Sequence, residues 1–445
     1  MKLAVAAFGV MSMALSSVVL AGDLTRNVVP GEVIVCFEPE AARADLAGVV
    51  AGWRLSEVAN GFELIDSKSI MEWKEPGKTR FTRVVALRFP ERFDVDAVRN
   101  HLDSLEGIQW SAPNYEYIGD PREFTPNDPQ YASQYHHTKM QNNLAWDITL
   151  GSPDVLIAIT DDGFARTHLD LIQNVWINPG EVAGDGIDND GNGYIDDLFG
   201  WDFVYNNNDP TPNNTGDDHG THVAGIAAAR TNNATGVAGT AGGSRFLPIQ
   251  FYSSTVSWTS THVANAFAYA VNNGAKIITM SYNLDGFSSD PTARAAFQLA
   301  YDSGLLYFNS AGNNNALNPA RQSVHQALLV ASTTSTDARA SSSNYGTGID
   351  IAAPGQSILS TLLNNTYGSN SGTSMASPNA AGVAALIWSA NPTWTRDQVA
   401  ARLYATADNI DAVNPSYVGL LGGGRVNSFK AVSPTTLPAP RVKEV

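Results

Sequence analysis

From Gly31 to about Tyr117 the apolar positions come in short runs separated by polar stretches. The runs Glu32–Phe37, Arg83–Phe89 and Ile108–Tyr117 predict strands. Val95–Leu105 has the spacing of an amphipathic helix, and Leu46–Val58 fits a second one. Together they predict a small α+β open-faced sandwich of roughly 90 residues, enough for an independent domain. Residues 119–129 are rich in Pro and Asp without periodicity, which marks a linker. Beyond it, uniformly apolar strand-length runs at Leu156–Thr160, Phe246–Phe251, Lys276–Ser281, Leu305–Ser310, Leu328–Ala331 and Asp350–Ala352 alternate with helical stretches. The helices are expected at His222–Ala229, His262–Asn272, Pro291–Asp302, Ser377–Ser389 and Arg396–Ala405. Strands apolar on both faces, alternating with helices of this length, predict an α/β domain with a doubly wound, mainly parallel sheet and helices on both faces.

The two ends differ from this body. Met1 and Lys2 precede an almost unbroken apolar stretch from Leu3 to Leu20 that ends in Val19-Leu20-Ala21, the pattern of a secretory signal peptide over residues 1–21. A membrane anchor is the alternative, but the stretch is barely long enough to span and small residues end it. No later segment is a candidate span, and residues 433–445 read as a disordered tail. The 445 residues leave room for one large domain of about 130–432 and the smaller unit before it. A formal charge of −16 argues against non-specific binding to nucleic acid or anionic membranes and suits a protein that gathers cations such as calcium. Cys36 is the sole cysteine, so no intramolecular disulfide forms; it fits a strand core, with a reactive thiol as the alternative.

Three polar residues stand out against the apolar pattern. Ser374 lies in Gly372-Thr373-Ser374-Met375-Ala376-Ser377-Pro378 at the start of a long Ala-rich helix, where unpaired amides favour developing negative charge. Ser374 and Ser377 as simple helix caps are the alternative. A serine nucleophile needs a base, and His219 sits in His219-Gly220-Thr221-His222-Val223-Ala224-Gly225. His219 and His222 beside Asp217 and Asp218 also have the look of half a zinc site, though no third ligand has the spacing. Asp161 ends an apolar strand, at the edge where parallel sheets place their sites. Asp162 stands next to it, and since neighbouring strand side chains face opposite ways only one of the two can meet His219.

Asp161-Asp162-Gly163, the His219 motif and the Ser374 motif occur in the order Asp, His, Ser, and in this the chain resembles the subtilisin family of serine peptidases. The similarity runs from about Pro126 to Val432 and includes Ser343-Asn344-Tyr345-Gly346, Ala353-Pro354-Gly355 and Gly424-Arg425-Val426-Asn427; residues 231–239 look closest to the thermitase branch. The resemblance implies Ser374 as nucleophile, His219 as general acid and base, and Asp161 as orienter of the imidazole. It implies that Asn313, in Phe308-Asn309-Ser310-Ala311-Gly312-Asn313, donates to the oxyanion, and that Ser281, Tyr282 and Asn283 with Ser310, Ala311 and Gly312 border the substrate. Three departures bear on this: Asp162 stands where the family has Thr or Ser, Asp218 adds a charge before His219, and Asn283 replaces a substrate-wall glycine.

The resemblance further implies that residues 22–118 are a propeptide that assists folding and inhibits its own enzyme, with Ala112–Ile118 entering the cleft. A secreted monomer, extracellular or periplasmic, acting on protein or peptide substrates is the expectation. A calcium-dependent binding module on the same fold is the rival, and a lipase or esterase is disfavoured because no Gly-x-Ser-x-Gly surrounds Ser374. Calcium enters on two grounds. Asp188, Asp190, Asn192, Tyr194 through its carbonyl, and Asp196 have the spacing of a calcium loop, with Asp185, Asp197 or Asp202 to close the shell. The family's strong site, by resemblance, matches Asp128, Asp170 and Asn233, with carbonyls around Arg230, Thr235 and Val237.

Overall fold

The computed structural model describes residues 26–37, 66–74, 81–90, 93–105, 107–117 and 123–433. The expected signal segment, the helix over 46–58 and the tail after Ser433 lie outside them. The chain falls into two compact units that divide between Pro121 and Arg122.

In the first unit, β1 (Arg26–Phe37), β2 (Asp66–Lys74), β3 (Phe81–Arg88) and β4 (Ile108–Tyr117) form an antiparallel sheet of order β2-β3-β1-β4. The helix α1 (Val95–Leu102) starts on the Asp94 cap, whose carboxylate accepts from the Ala97 amide. It is three residues shorter than its apolar spacing suggests. Val33, Val35, Phe37, Val85 and Leu87 line the sheet face that packs on Val98 and Leu102. Cys36 is buried in β1 with its Sγ 3.3 Å from Gln109 Oε1, and burial pushes its pKa up, as befits a packed rather than a reactive thiol.

The second unit opens with two short helices, α2 (Tyr135–Met140) and α3 (Asn142–Ala145), that apolar spacing did not single out. Then β5 (Ile157–Asp161), β6 (Trp201–Asp202), α4 (His219–Ala228), β7 (Phe246–Gln250), α5 (Ser260–Asn272), β8 (Ile277–Met280), α6 (Pro291–Asp302), β9 (Leu306–Ser310), β10 (Ala327–Thr333) and β11 (Ile351–Pro354) follow. The hairpin β12 (Ile358–Leu362) and β13 (Thr366–Asn370) leads into α7 (Thr373–Ala390), α8 (Arg396–Ala405) and α9 (Ser428–Val432). Seven strands pair in parallel in the order β11-β10-β9-β8-β5-β7-β6. The doubly wound α/β sheet expected from the apolar runs is what forms.

Period-two alternation divides the core between the sheet's faces. Ile157, Ile159, Ile277, Phe308, Val330 and Ile351 point to the face covered by α4, α7 and α8, while Leu156, Ala158, Ile278, Tyr307 and Leu329 point to the face covered by α5 and α6. The direction of winding reverses at β5, so its carboxyl end opens into the crevice where such sheets place ligands.

Three helices begin earlier than their apolar pattern, α5 by two residues at Ser260, where the Thr259 side chain accepts from the His262 amide and caps it. α4 starts at His219 rather than His222, because Asp162 accepts from the His219 and Gly220 amides at 3.3 and 2.7 Å and so caps the helix from a distant strand. α7 starts at Thr373 rather than Ser377, which places Pro378 in the second turn and not the first. Pro378 has no N–H for the Ser374 carbonyl four residues back; that carbonyl instead accepts from Ser281 Oγ at 2.8 Å.

Candidate active site

Asp161 is wholly buried at the end of β5. Its Oδ1 accepts from His219 Nδ1 at 2.8 Å, from Tyr252 OH at 2.8 Å and from the Asp162 amide at 2.9 Å. Asp162 turns to the helix N-terminus instead, so the strand separates the two carboxylates as alternation demands. Gly220 is needed here: a Cβ on it would stand 2.5 Å from the Gly163 carbonyl and 2.8 Å from Asp161 Cβ.

Burial pulls the His219 pKa down, but the charge and hydrogen bond of Asp161, then the charges of Asp162 and Asp218, outweigh it and hold it at about 9. Asp218 thus contributes in the direction its place in the sequence suggests. Burial, and then the charge of Asp161, push Asp162 well above the usual carboxylate range. His222 is a packing residue. Its Nε2 donates to the Gly368 carbonyl at 3.0 Å and burial lowers its pKa to about 4. Among the described residues, the cluster of metal-type ligands that does form includes neither histidine.

Ser374, half-buried in the first turn of α7, donates from Oγ to the Ser281 carbonyl at 3.1 Å. With the Ser281 Oγ bond to the Ser374 carbonyl this makes a reciprocal pair. No hydrogen bond joins Ser374 to His219 in this rotamer; such bonds are often long or absent in active sites without substrate. Neither Ser374 nor Ser377 caps the helix: Ser377 Oγ meets Thr279 Oγ1 at 3.1 Å, and the cap position is Gly372. Asn313 is exposed, and its Oδ1 accepts from the Thr373 amide at 2.9 Å and Thr373 Oγ1 at 3.0 Å. That leaves its Nδ2 hydrogens unspent, beside the start of α7.

The expected substrate wall follows β8 and the facing segment ends β9, parallel neighbours paired through Met280 and Asn309. Asn309 Nδ2 donates to the Tyr282 carbonyl at 3.0 Å. Arg321, which no motif flagged, lies buried and donates to the Ser310 carbonyl at 2.7 Å and to Asn283 Oδ1 at 2.6 Å while pairing with Asp285. Asn283 is therefore fixed by a guanidinium where the resemblance led one to expect glycine. Ala311 is buried, and Gly312 takes a φ of 101°, where a Cβ would meet Asn344 Nδ2 at 2.4 Å.

The expected calcium ligands fall in two places. Asp128 and Asp170 are buried, and burial raises both pKa values. Asn233 joins them, its amide nitrogen 3.5 Å from Asp128 Oδ1 and its Nδ2 3.0 Å from Asp170 Oδ1. The Val237 amide donates to Asp170 Oδ2, the Arg230 amide to the Asp170 carbonyl, and the Thr235 amide to Asn233 Oδ1. In the second place, ligand oxygens of Glu181, Asp188 and Asp190 lie within 4.8 Å of one another, an acidic cluster able to hold a metal ion. Asn192 joins its edge, its Nδ2 donating to Asp190 at 3.1 Å. Asp196 spends its carboxylate on the Gly184 and Gly186 amides, and the Tyr194 ring packs on Trp201 and Tyr269. Asp185 and Asp202 are hydrogen-bonded elsewhere, Asp197 shares the Asn178 and Asn192 amide donors with Asp190, and the further carboxylate that the fold brings in is Glu181, seven residues before the loop.

The subtilase family profile matches residues 152–424. The chain belongs to the subtilase family. It lies in the thermitase-like branch of the subtilisin-like serine peptidases and is a serine endopeptidase, a hydrolase of peptide bonds. Thermitase of Thermoactinomyces vulgaris is 42% identical over 313 residues, spanning 69% of this chain and 99% of thermitase. A halolysin-like extracellular serine protease of Natrialba magadii is 35% identical over 353 residues, 78% of this chain and 60% of that protein. Among solved structures, a protease from Pseudoalteromonas arctica superposes with a TM-score of 0.56 at 28% identity, covering 69% of this chain and 98% of its own. This subtilase thus has extracellular relatives, and among its described residues no helix is long and apolar enough to cross a membrane.

Proposed function

We propose that this subtilase cleaves peptide bonds through an acyl-enzyme on Ser374. The observation that carries this is the 2.8 Å bond between His219 Nδ1 and the buried Asp161, at the carboxyl end of the strand beside the one that leads to Ser281 and its partner Ser374. When substrate enters, the Ser374 hydroxyl leaves the Ser281 carbonyl and gives its proton to His219 Nε2 as Oγ bonds to the scissile carbonyl carbon. Asp161 holds the imidazole in the tautomer that presents Nε2 as a base and stabilises the imidazolium. The oxyanion is met by Asn313 Nδ2, oriented by the two Thr373 bonds, and by the Ser374 amide in the unpaired first turn of α7. His219 then protonates the departing amine as the C–N bond breaks, and water repeats the sequence to release the acid. Ser281–Asn283 and Ser310–Gly312 border the substrate chain. A fluorophosphonate that labels the mature wild-type enzyme at Ser374 and fails to label Ser374→Ala tests this; labelling elsewhere refutes it.

The same reading extends to maturation and metal. The chain is exported on residues 1–21, residues 22–118 act as a removable inhibitor and folding helper, residues 119–129 are the linker, and residues 130–432 are the secreted monomeric peptidase. Calcium is its cofactor and serves stability rather than the chemical step. Buried Asp128 and Asp170 with Asn233 and the carbonyls of Arg230, Thr235 and Val237 would hold one ion, since two carboxylates sharing a buried place call for a cation. Glu181, Asp188 and Asp190, with Asn192 at their edge, would hold a second, and the Tyr194 carbonyl and Asp196 would close its shell once Asp196 turns from the Gly184 and Gly186 amides, hard oxygen donors being what calcium takes.

A further inference from the structure

A phenol that belongs to none of the three sequence motifs reaches the buried charge of the site. Tyr252 follows the last residue of β7 by two positions and donates to Asp161 Oδ1 at 2.8 Å. That oxygen also carries His219 Nδ1 and the Asp162 amide, whereas Asp161 Oδ2 is buried with no hydrogen-bond partner. The Tyr252 ring is held among Phe251, Trp258 and Tyr282, with centroids 5.1, 5.9 and 6.2 Å away, so the hydroxyl is aimed by packing.

We propose that Tyr252 is a positioning residue of the triad, whose phenol fixes the rotation of the Asp161 carboxylate and sets the pH at which His219 becomes a free base. This rests on the assignment of Asp161, His219 and Ser374 as the reacting groups. With one oxygen bare and buried, the carboxylate spreads its charge over three donors converging on the other. Remove the phenol and the same charge bears on two donors, one of which is His219, so the imidazolium proton is held more tightly and the base is freed at higher pH. The other titratable groups facing the pair are Asp162 just after β5, Asp217 and Asp218 before α4, His222 one turn along it, and Tyr282 after β8. None of these side chains is hydrogen-bonded to Asp161, so among the described residues Tyr252 is the one side chain besides His219 that donates to it. Burial, then the charges of Asp161 and Asp162, hold the Tyr252 pKa well above its ordinary value, which keeps the phenol a donor throughout.

The test is the rate of fluorophosphonate labelling of the mature enzyme as a function of pH. Tyr252→Phe keeps the ring and deletes the hydroxyl; the midpoint of the rising limb is expected to move to higher pH by about one unit, which is roughly tenfold slower labelling below the midpoint. Placing 3-fluorotyrosine at position 252, a stronger donor of nearly the same shape, moves the midpoint the opposite way. Tyr404→Phe is the control: Tyr404 OH donates to Asp350 Oδ1 at 3.1 Å far from the site, so its loss lowers melting but leaves the midpoint in place. An unchanged or acid-shifted midpoint in Tyr252→Phe overturns the proposal, as does a fluorotyrosine variant that titrates like wild type. Absence of Ser374 labelling in the wild type at every pH refutes the triad assignment itself, an outcome distinct from either.

Discussion

Asp161 is wholly buried while the carboxylates of the 181–197 loop run from buried Glu181 to exposed Asp190, and different parts of the chain hold them. Asp161 receives its donors from three separate elements, the strand it ends, the segment after β7 and the start of α4, each anchored in the core. The loop carboxylates are met mostly by amides of their own neighbourhood: Glu181 by Asn189, Asp190 and Asp196, Asp188 by Asn192 and Gly193, Asp196 by Gly184 and Gly186. Geometry at Asp161 is therefore set by the sheet and survives without any ion. In the loop, a few local amides face three converging acids, and on the proposed reading a divalent ion would supply the missing compensation.

The largest expected effect falls on the chemistry and leaves the fold alone. Ser374→Ala should accumulate as an unprocessed chain beginning near Gly22 and show no peptidase activity, read by mass spectrometry of an isolated preparation; normal processing there would end the idea of self-maturation. Asn313→Ala, which leaves the nucleophile and base in place, should lower kcat by about 10²–10³ with KM nearly unchanged. A large rise in KM at constant kcat would instead make Asn313 a substrate-binding group.

Removing calcium should act the other way, on stability more than on chemistry. Excess EDTA should speed self-digestion and lower the melting temperature, on the order of 5 °C if calcium is normally near a hundredfold above its dissociation constant. Asp170→Ala and Asp188→Ala should each abolish part of that response. Identical melting and autolysis with saturating calcium and with EDTA would mean that neither site contributes.

The smallest effect sharpens the catalytic side alone. With His219 as the proposed base, catalysis needs its neutral form, so a pKa held at about 9 should place the rising limb of kcat/KM on the alkaline side. Asp218→Asn removes one of the charges that raise it, so the limb should shift toward acid, by about a few tenths of a pH unit for a half-exposed group. A shift toward alkali would show that Asp218 acts on the ring other than through its charge.

Six of the seven strands of the parallel sheet were legible because burial on both faces leaves uninterrupted apolar runs, while the two-residue edge strand β6 is too short to show as one; α6 was found end to end because Asp290, accepting from Thr292 and Ala293, and Pro291 mark its start locally. The hairpin β12–β13 was missed: Thr366–Asn370 is polar and largely exposed, and its strand character comes from pairing with Ile358–Leu362. The starts of α4 and α7 were read too late since the acceptors that meet their first amides, Asp162 for Gly220 and Asn313 for Thr373, lie far away along the chain. Of the site, Asp161, His219, Ser374 and Asn313 stood in recognisable local motifs. Tyr252, Arg321 and Glu181 did not. Tyr252 meets Asp161 across 91 positions and Arg321 meets Asn283 across 38, separations that no local pattern encodes.

The missing N–H of Pro378 reaches into how such an enzyme could be re-engineered. Because the Ser374 carbonyl is left for Ser281 Oγ, and Ser374 Oγ rests on the Ser281 carbonyl, the nucleophile and the first residue of the substrate wall are latched together at two points. Selectivity and turnover are then not separate dials. A library that varies Ser281 to widen the pocket also retunes the resting position of the proposed nucleophile, whereas one that varies Asn283, whose side chain is tied to Arg321 and takes no part in that latch, explores substrate choice with the attacking oxygen left where it was.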